Sequence, residues 1–283
     1  PTTNFWPAMK RILGQSRRLR ACGQFNMMIN NERLHAILAT DPVWAVYPLA
    51  DLQPAFAPYC HWGMGESGAG SAVAMLFTGL TPPILFLMGP NPALATALAQ
   101  LELPGELYLT VREEHLALLN PHYDFGEQVH PMWRMVLTTP ATHAEQTAGL
   151  VRLQATDSQA IRRLLDEGGP FTPDAFEPYQ LDDGVFFGVK DDEGALLAVG
   201  GTHIIDRANC AAAIGNMYTH PAHRGRGYAG AVLGAIVHTL QSQAIERIVL
   251  NVDQANLTAR RLYEKHGFQV HLPYIEGVCI RVS

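Results

Sequence analysis

The sequence predicts an α/β fold, and three observations carry that reading. Ala211 to Tyr218 is a run without charge, the pattern of a strand buried on both faces, and Pro221 ends it. Arg224-Gly-Arg-Gly-Tyr-Ala229 then leads into a helix with apolar residues at Ala229, Val232, Leu233, Ile236, Val237 and Leu240. Those steps of three and four lie on one helical face. Finally, strand-like and helix-like segments alternate along the rest of the chain.

Composition bounds the function. With 283 residues, 48% of them hydrophobic, the chain can bury one large core or two small ones. A net charge of −6 argues against nucleic acid as a partner. No run of 18 apolar residues occurs, so no membrane partner is expected. Cys22, Cys60, Cys210 and Cys279 are scattered without a C-x-x-C pair, which reads as reduced thiols in a cytoplasmic protein. Residues 1–27 hold Lys10, Arg11, Arg17, Arg18 and Arg20 and no acid, with no apolar segment behind them. They read as a basic tail rather than a secretory signal, and a domain starts at Met28.

The first half gives strands at Ser71–Thr78 and Ile84–Met88, joined by a turn through Pro82 and Pro83. Gly89-Pro-Asn-Pro opens a helix to Leu101, with Asn91 as its cap and Pro92 in its first turn. A strand at Glu106–Val111, a short helix at Glu113–Leu119 and a strand at Val129–Leu137 complete residues 28–138. A small, polar stretch at 139–147 reads as a linker. In 148–283 a strand at Leu150–Leu153 precedes a helix capped at Thr156-Asp-Ser and running to Leu165, and Pro173–Tyr179 suggests another helix. Val185–Lys190 and Leu196–Ile205 flank Asp191-Asp-Glu-Gly194, a hairpin by its turn residues.

The turn after Ala211–Thr219 carries the chemistry. Two glycines at a helix start let the backbone approach an anion, and the first free N–H groups point at it. Gly225-Arg-Gly-Tyr-Ala-Gly230 is a literal G-x-G-x-x-G, and Arg247–Asp253 ends on an acid as a dinucleotide site requires. Against that reading stand two arginines and a His-Pro in or before the turn, and the roughly 30 residues after Asp253, too few for the rest of a doubly wound sheet. Asn256 to Phe268 also has its own pattern: a short helix with Asn256 as N-cap and Gly267 as C-cap.

Taken together, Arg224-x-x-Gly227-x-Ala229 and Asn256-x-x-Ala259-x-x-x-Tyr263-Glu-Lys-x-Gly-Phe268 resemble the GCN5-related N-acetyltransferase (GNAT) superfamily over roughly residues 148–283. The wording of Met217 to Ala229 looks most like the glycine N-acyltransferase-like branch. The resemblance implies a mixed, mostly antiparallel sheet flanked by helices and a catalytic domain at 148–283. Residues 28–138 repeat the element order and read as a degenerate copy whose Gly89-Pro-Asn-Pro turn offers too few N–H groups for a pyrophosphate.

The resemblance implies acetyl-CoA as co-substrate, transferring its acyl group to a primary amine of a small molecule or amino acid by direct attack. Main chain at Met217, Tyr218 and Thr219 would hold the thioester arm, and Arg224, Gly225, Arg226, Gly227, Tyr228 and Ala229 the pyrophosphate. Asn256 would contact the arm, and Tyr263 is the candidate general acid, although its spacing also fits an aromatic packed on the sheet. No general base is assigned. Ala211–Thr219 holds no acid, which leaves His203 and Glu276 as candidates. His220 and His223 have H-x-x-H spacing but span a proline turn without a nearby carboxylate in sequence, so no metal is expected. A protein or peptide amine remains an alternative acceptor, and a non-catalytic acyl-CoA sensor an alternative class.

Overall fold

A computed structural model describes residues 24–139, 147–173 and 176–282. Most of the predicted basic tail, Cys22 and most of the predicted linker lie outside the described residues, as do Asp174 and Ala175 of the helix expected at 173–179. The elements are α1 (Gln24–Leu38), α2 (Val46–Asp51), β1 (Cys60–Ser67), β2 (Gly70–Phe77), β3 (Ile84–Met88), α3 (Asn91–Leu98), β4 (Glu106–Val111), α4 (Leu116–Leu119), β5 (Tyr123–Asp124) and β6 (Val129–Leu137). There follow β7 (Leu150–Arg152), α5 (Ser158–Leu165), α6 (Gln180–Asp183), β8 (Phe187–Lys190), β9 (Leu196–Asp206), β10 (Ala211–Thr219), α7 (Tyr228–Ser242), β11 (Arg247–Asp253), α8 (Leu257–Lys265) and β12 (Phe268–Arg281). The chain divides into two compact units. One takes the described residues up to Trp133 and from Leu272 onward, the other Arg134–His271.

In the first unit β1, β2 and β3 form an antiparallel meander, and α3 carries the chain to β4, which is parallel to β3. The C-terminal part of β12 closes this sheet, antiparallel to β4 from Ile275↔Val111 to Ile280↔Glu106. Alternation along β2 sends Ala72, Ala74 and Leu76 to the α3 side, and Val73, Met75 and Phe77 to a cluster with Leu34, Leu38 and Trp44. The Trp44 indole N–H is satisfied by the Leu87 carbonyl at 3.0 Å. Strand β1 is one the sequence reading did not find. Its Gly63 and Gly65 look like turn residues but serve packing: a Cβ there would lie 2.0 Å from the Ala97 carbonyl oxygen or 1.9 Å from that of Ala93. Helix α3 therefore rests directly on the strand.

In the second unit the strand order is β11-β10-β9-β8-β7. Strands β7 to β10 are antiparallel neighbours, and α7 leads from β10 to the parallel β11. Helix α7 buries Val232, Leu233, Ile236, Val237 and Leu240, the stripe read from the sequence. A Cβ on Gly200 would sit 2.8 Å from Val232, which marks the face that α7 covers. On the opposite face Ile161 and Leu164 of α5 pack with Phe186 and Tyr218. The hairpin forms as expected, with Asp191 accepting from the N–H groups of Glu193 and Ala195 and Gly194 at φ 85°.

Candidate active site

The site grows from two irregularities in neighbouring strands. Along the β9–β10 ladder, Ala213 pairs with Ile204 but Ile214 with Thr202, so His203 is an extra residue in β9. Further on Gly215 pairs with Gly201 and Tyr218 with Val199, so β10 carries an extra residue at Asn216–Met217. Asn216 adopts φ 54°, a left-handed conformation that asparagine tolerates better than most side chains. Both are β-bulges, which re-aim side chains and increase local twist. Between them lies Gly215, where a Cβ would fall 2.0 Å from His203 Nε2. Glycine is required there because the imidazole occupies that space.

The bulge also ends the pairing of β10 with β11. Their parallel register runs from Ala211↔Arg247 to Ile214↔Leu250, although β11 continues to Asp253. Past that point one edge of β10 is open. The His220 N–H donates to Leu197 on β9 at 2.9 Å, so by alternation the main chain of Thr219 and Met217 faces the open edge. Arg224 Nε donates to the Thr219 carbonyl at 3.2 Å, in agreement with that direction. Tyr218 is turned the other way: its side chain is buried and its hydroxyl donates to Gly168 at 2.7 Å.

Beyond β10 the chain makes a 3-10 turn at Pro221–His223, capped by His220 Nδ1, which accepts from the Ala222 N–H at 3.1 Å. Gly225 and Gly227 follow at φ 77° and 81°, with nothing within 4 Å of a Cβ at either. In α7 the first hydrogen bond is Ala231 N–H to the Gly227 carbonyl, so Tyr228, Ala229 and Gly230 keep N–H groups without an intrahelical acceptor. Arg224 and Arg226 are exposed beside them. The predicted phosphate residues thus lie together on an open turn with a positive helix end.

Asn256 caps α8 by accepting from Ala259 at 3.1 Å, and Gly267 at φ 88° ends that helix. Tyr263 is 6% exposed and packs edge-on against Phe268 at 6.2 Å. Burial pushes its phenol up to about 12, so it remains a proton donor through the neutral range. Burial lowers His203 to about 4; the Asn216 amide beside the ring acts the other way, and the charge of the buried Arg134 adds to the lowering. His203 is therefore a neutral acceptor or donor, not a reservoir of positive charge. Glu276 lies in the first unit, where its carboxylate accepts from Tyr108 at 2.6 Å and from Tyr274. Among the described residues no group of three or more His, Cys, Asp or Glu is placed to hold a metal. His220 and His223 pack ring to ring at 5.2 Å, and His220 stands 3.7 Å from Glu167.

Asn216 and Gln180 are polar residues beside the β10 bulge that the sequence reading missed. Asn216 Nδ2 donates to Gln180 Oε1 at 2.9 Å, and both residues are buried. Neither residue belongs to the glycine turn or the α8 pattern, and only the bulge brings them to the site.

Comparison with known proteins places this architecture. Residues 157–268 match the acetyltransferase (GNAT) family. A [ribosomal protein bS18]-alanine N-acetyltransferase from Haemophilus ducreyi is 38% identical over 53 residues, 19% of this chain and 37% of that protein. An uncharacterized N-acetyltransferase, YycN, from Bacillus subtilis is 45% identical over 47 residues, 17% of this chain and 30% of that protein. The chain thus spans about a third of the length of the curated relatives it matches. Solved structures align over far more. A GNAT-family acetyltransferase from Colwellia psychrerythraea aligns over 94% of this chain and 99% of its own, with TM-score 0.55 and 14% identity. A Drosophila protein aligns over 98% and 97%, with TM-score 0.61 and 13% identity. A GCN5-related N-acetyltransferase from Kribbella flavida aligns over 82% and 93%, with TM-score 0.53 and 15% identity. The fold is the GNAT fold, a mixed sheet flanked by helices, and residues 157–268 are similar to the acetyltransferase (GNAT) family.

Proposed function

We propose that the protein is an acetyl-CoA-dependent N-acyltransferase acting on a primary amine of a small molecule or amino acid, in the manner of the glycine N-acyltransferase-like branch. The observation that carries the reading is the parting of β10 from β11 beyond Ile214 and Leu250, leading straight into an open arginine-glycine turn. A strand edge with free main-chain groups suits an extended amide-bearing arm. The turn beyond it suits a pyrophosphate, with hydrogen bonds to charged groups contributing about 1.5–3 kcal/mol each.

In this assignment Met217 and Thr219 offer main chain to the thioester arm, and their N–H groups receive the carbonyl oxygen as charge develops on it. Arg224 and Arg226, with the N–H groups of Tyr228 and Ala229, hold the diphosphate across Gly225 and Gly227. Asn256 fixes the start of α8, which places Tyr263 to donate a proton to the departing sulfur. The amine nitrogen bonds to the acyl carbon, the carbon–sulfur bond breaks, and the nitrogen gives up one proton, so that N-acyl amine and free thiol are the products. The first unit supplies structure rather than a second cofactor site. Its β2-β3-α3-β4 order matches β9-β10-α7-β11, which supports an internal duplication with a degenerate first copy. The likeness to an alanine N-acetyltransferase of a ribosomal protein supports a protein α-amine as the second acceptor reading.

Release of free thiol from acetyl-CoA on adding an amine panel tests the proposal. Amine-dependent release that falls at least a hundredfold in Tyr263→Phe is the expected result. Tight acetyl-CoA binding with no release for any small amine or peptide amino terminus would leave a non-catalytic acyl-CoA sensor as the correct reading.

A further inference from the structure

The first unit holds a cavity of about 360 Å³ that plays no part in the chemistry described so far. Its walls include Leu98 of α3, Leu101 and Leu103 of the loop leading to β4, and Leu118 of α4. All four are half-buried and pack against the buried cluster of that unit. Single exposed leucines are ordinary, but four around one hollow form an apolar surface that a ligand can cover. Small-molecule sites have volumes from about 300 to 1,000 Å³ and set a few fixed polar groups in apolar walls.

The fixed polar group is Arg281, near the end of β12. Its Nη2 donates to the Leu103 carbonyl at 2.6 Å and to the Tyr123 hydroxyl at 3.0 Å. Its guanidinium also lies 5.2 Å from the centre of the Tyr123 ring. The Tyr123 hydroxyl is itself committed to the Pro104 carbonyl at 2.6 Å. The guanidinium is thus held in place before any ligand arrives, which lowers the cost of binding one. Those two bonds use Nη2 and leave the N–H groups of Nε and Nη1. Arg281 makes no ion pair among the described residues and is exposed, so its charge stands unneutralised beside the leucines.

We propose that this cavity binds a small aliphatic carboxylate of medium chain length, its tail along the leucines and its carboxylate on Arg281. The anion follows from charge complementarity, and a planar guanidinium suits a carboxylate in particular. The tail is aliphatic because the walls are mainly leucine and alanine, and the face of the lining ring Tyr123 is taken by Arg281. The basic stretch at residues 1–27, with five cations and no acid, has no side chain to supply the anion. Every lining residue belongs to the first unit, so the proposal stands independently of the acyltransferase reading.

Calorimetric titration of butanoate, hexanoate, octanoate and decanoate into the full chain tests it, with octanol as the uncharged control. The variants are Arg281→Gln, Arg281→Lys and Ala95→Trp. Ala95 lines the cavity from an exposed position on α3, so tryptophan there fills the space without disturbing the core. The Arg281 N–H bond to the Gly105 carbonyl at 2.7 Å is main chain and survives either substitution. The expected result is one site per chain, with affinity rising about threefold per added methylene until the cavity is full. Octanoate should bind at least tenfold more tightly than octanol. Arg281→Gln should weaken octanoate about tenfold and leave octanol unchanged, Arg281→Lys should restore part of the loss, and Ala95→Trp should abolish binding of both. Equal affinity for octanoate and octanol overturns the proposal, as does an octanoate affinity unchanged in Arg281→Gln. Octanoate binding that survives Ala95→Trp overturns the location, and no saturable binding to the folded wild type overturns the site altogether. Failure of acetyl-CoA to bind would count against the acyltransferase reading alone.

Discussion

Each unit sends a strand through a glycine-containing turn into a helix and back to a parallel strand, but different things fill the two turns. In the first, Gly89 at φ 121° is pressed against its own sheet, and a Cβ there would lie 2.6 Å from Ala72 and from the Ser71 carbonyl. The Pro90 carbonyl takes the N–H groups of Ala93 and Leu94, and Pro92 has none to give. Asn91, expected to cap this helix, instead turns its side chain outward. It bonds His115 Nδ1 at 2.7 Å and the Glu114 carbonyl at 2.9 Å. In the second turn Gly225 and Gly227 face open space, three N–H groups are free of intrahelical acceptors, and two arginines stand alongside. The lesson is that glycine at a helix start has two uses: it lets a chain pack on itself or it keeps space clear for a ligand. The surroundings of the absent Cβ tell them apart.

That contrast makes the glycines the strongest test. Gly89→Ala should cost about 3–5 kcal/mol, combining left-handed strain with a clash against main chain. Thermal or urea unfolding measures it, and variant molecules that remain folded should bind acetyl-CoA normally. Gly225→Ala should cost only about 1–2 kcal/mol of stability, from the strain alone, while lowering acetyl-CoA affinity more than any first-turn change. Equal stability losses at the two positions would break the distinction.

Each unit also buries one neutral histidine, and acid should expose both. Burial lowers His115 and His203 to about 4 from the usual 6.5. Because the unfolded chain binds these protons more readily, each costs stability as pH falls from about 6.5 toward 4, by roughly 3 kcal/mol at the limit. His115→Gln and His203→Gln should each flatten part of that decline in unfolding measured across this window. A decline as steep as the wild type's in both variants would contradict the account.

The phenols differ in the same way as the glycines. Tyr123 in the first unit is fully engaged, donating to the Pro104 carbonyl at 2.6 Å and accepting from Arg281 at 3.0 Å. Tyr263 in the second is held by packing, its ring edge-on to Phe268 at 6.2 Å. Tyr123→Phe should therefore cost about 1 kcal/mol of stability and leave turnover intact. Tyr263→Phe should leave stability within about 0.5 kcal/mol and reduce kcat. Melting temperature and kcat measured on both variants check the reversal.

Most of the second unit's scaffold was legible in the sequence because its signals are local. A charge-free run bounded by proline gave β10, a 3.6-residue period gave α7, and caps at Asn256 and Gly267 bounded α8. The glycine turn was legible for the same reason. The bulges were not. A bulge is a mismatch of register between two strands, so neither His203 nor Asn216 carries a mark of it in its own neighbourhood. In the first unit β1 was missed because its glycines imitate turn chemistry while serving helix contact at Ala93 and Ala97. Long-range packing, not local propensity, decided both cases.

The central claim is that the open turn of the second unit binds the diphosphate of acetyl-CoA. Calorimetric titration of acetyl-CoA into the wild type and into an Arg224→Ala, Arg226→Ala variant tests it most directly. Both side chains are exposed, so the variant should fold as the wild type does. The account predicts saturable binding to the wild type at one site per chain, weakened at least tenfold in the variant through loss of charged hydrogen bonds. Binding of equal strength in both proteins, or none to a folded wild type, would contradict it.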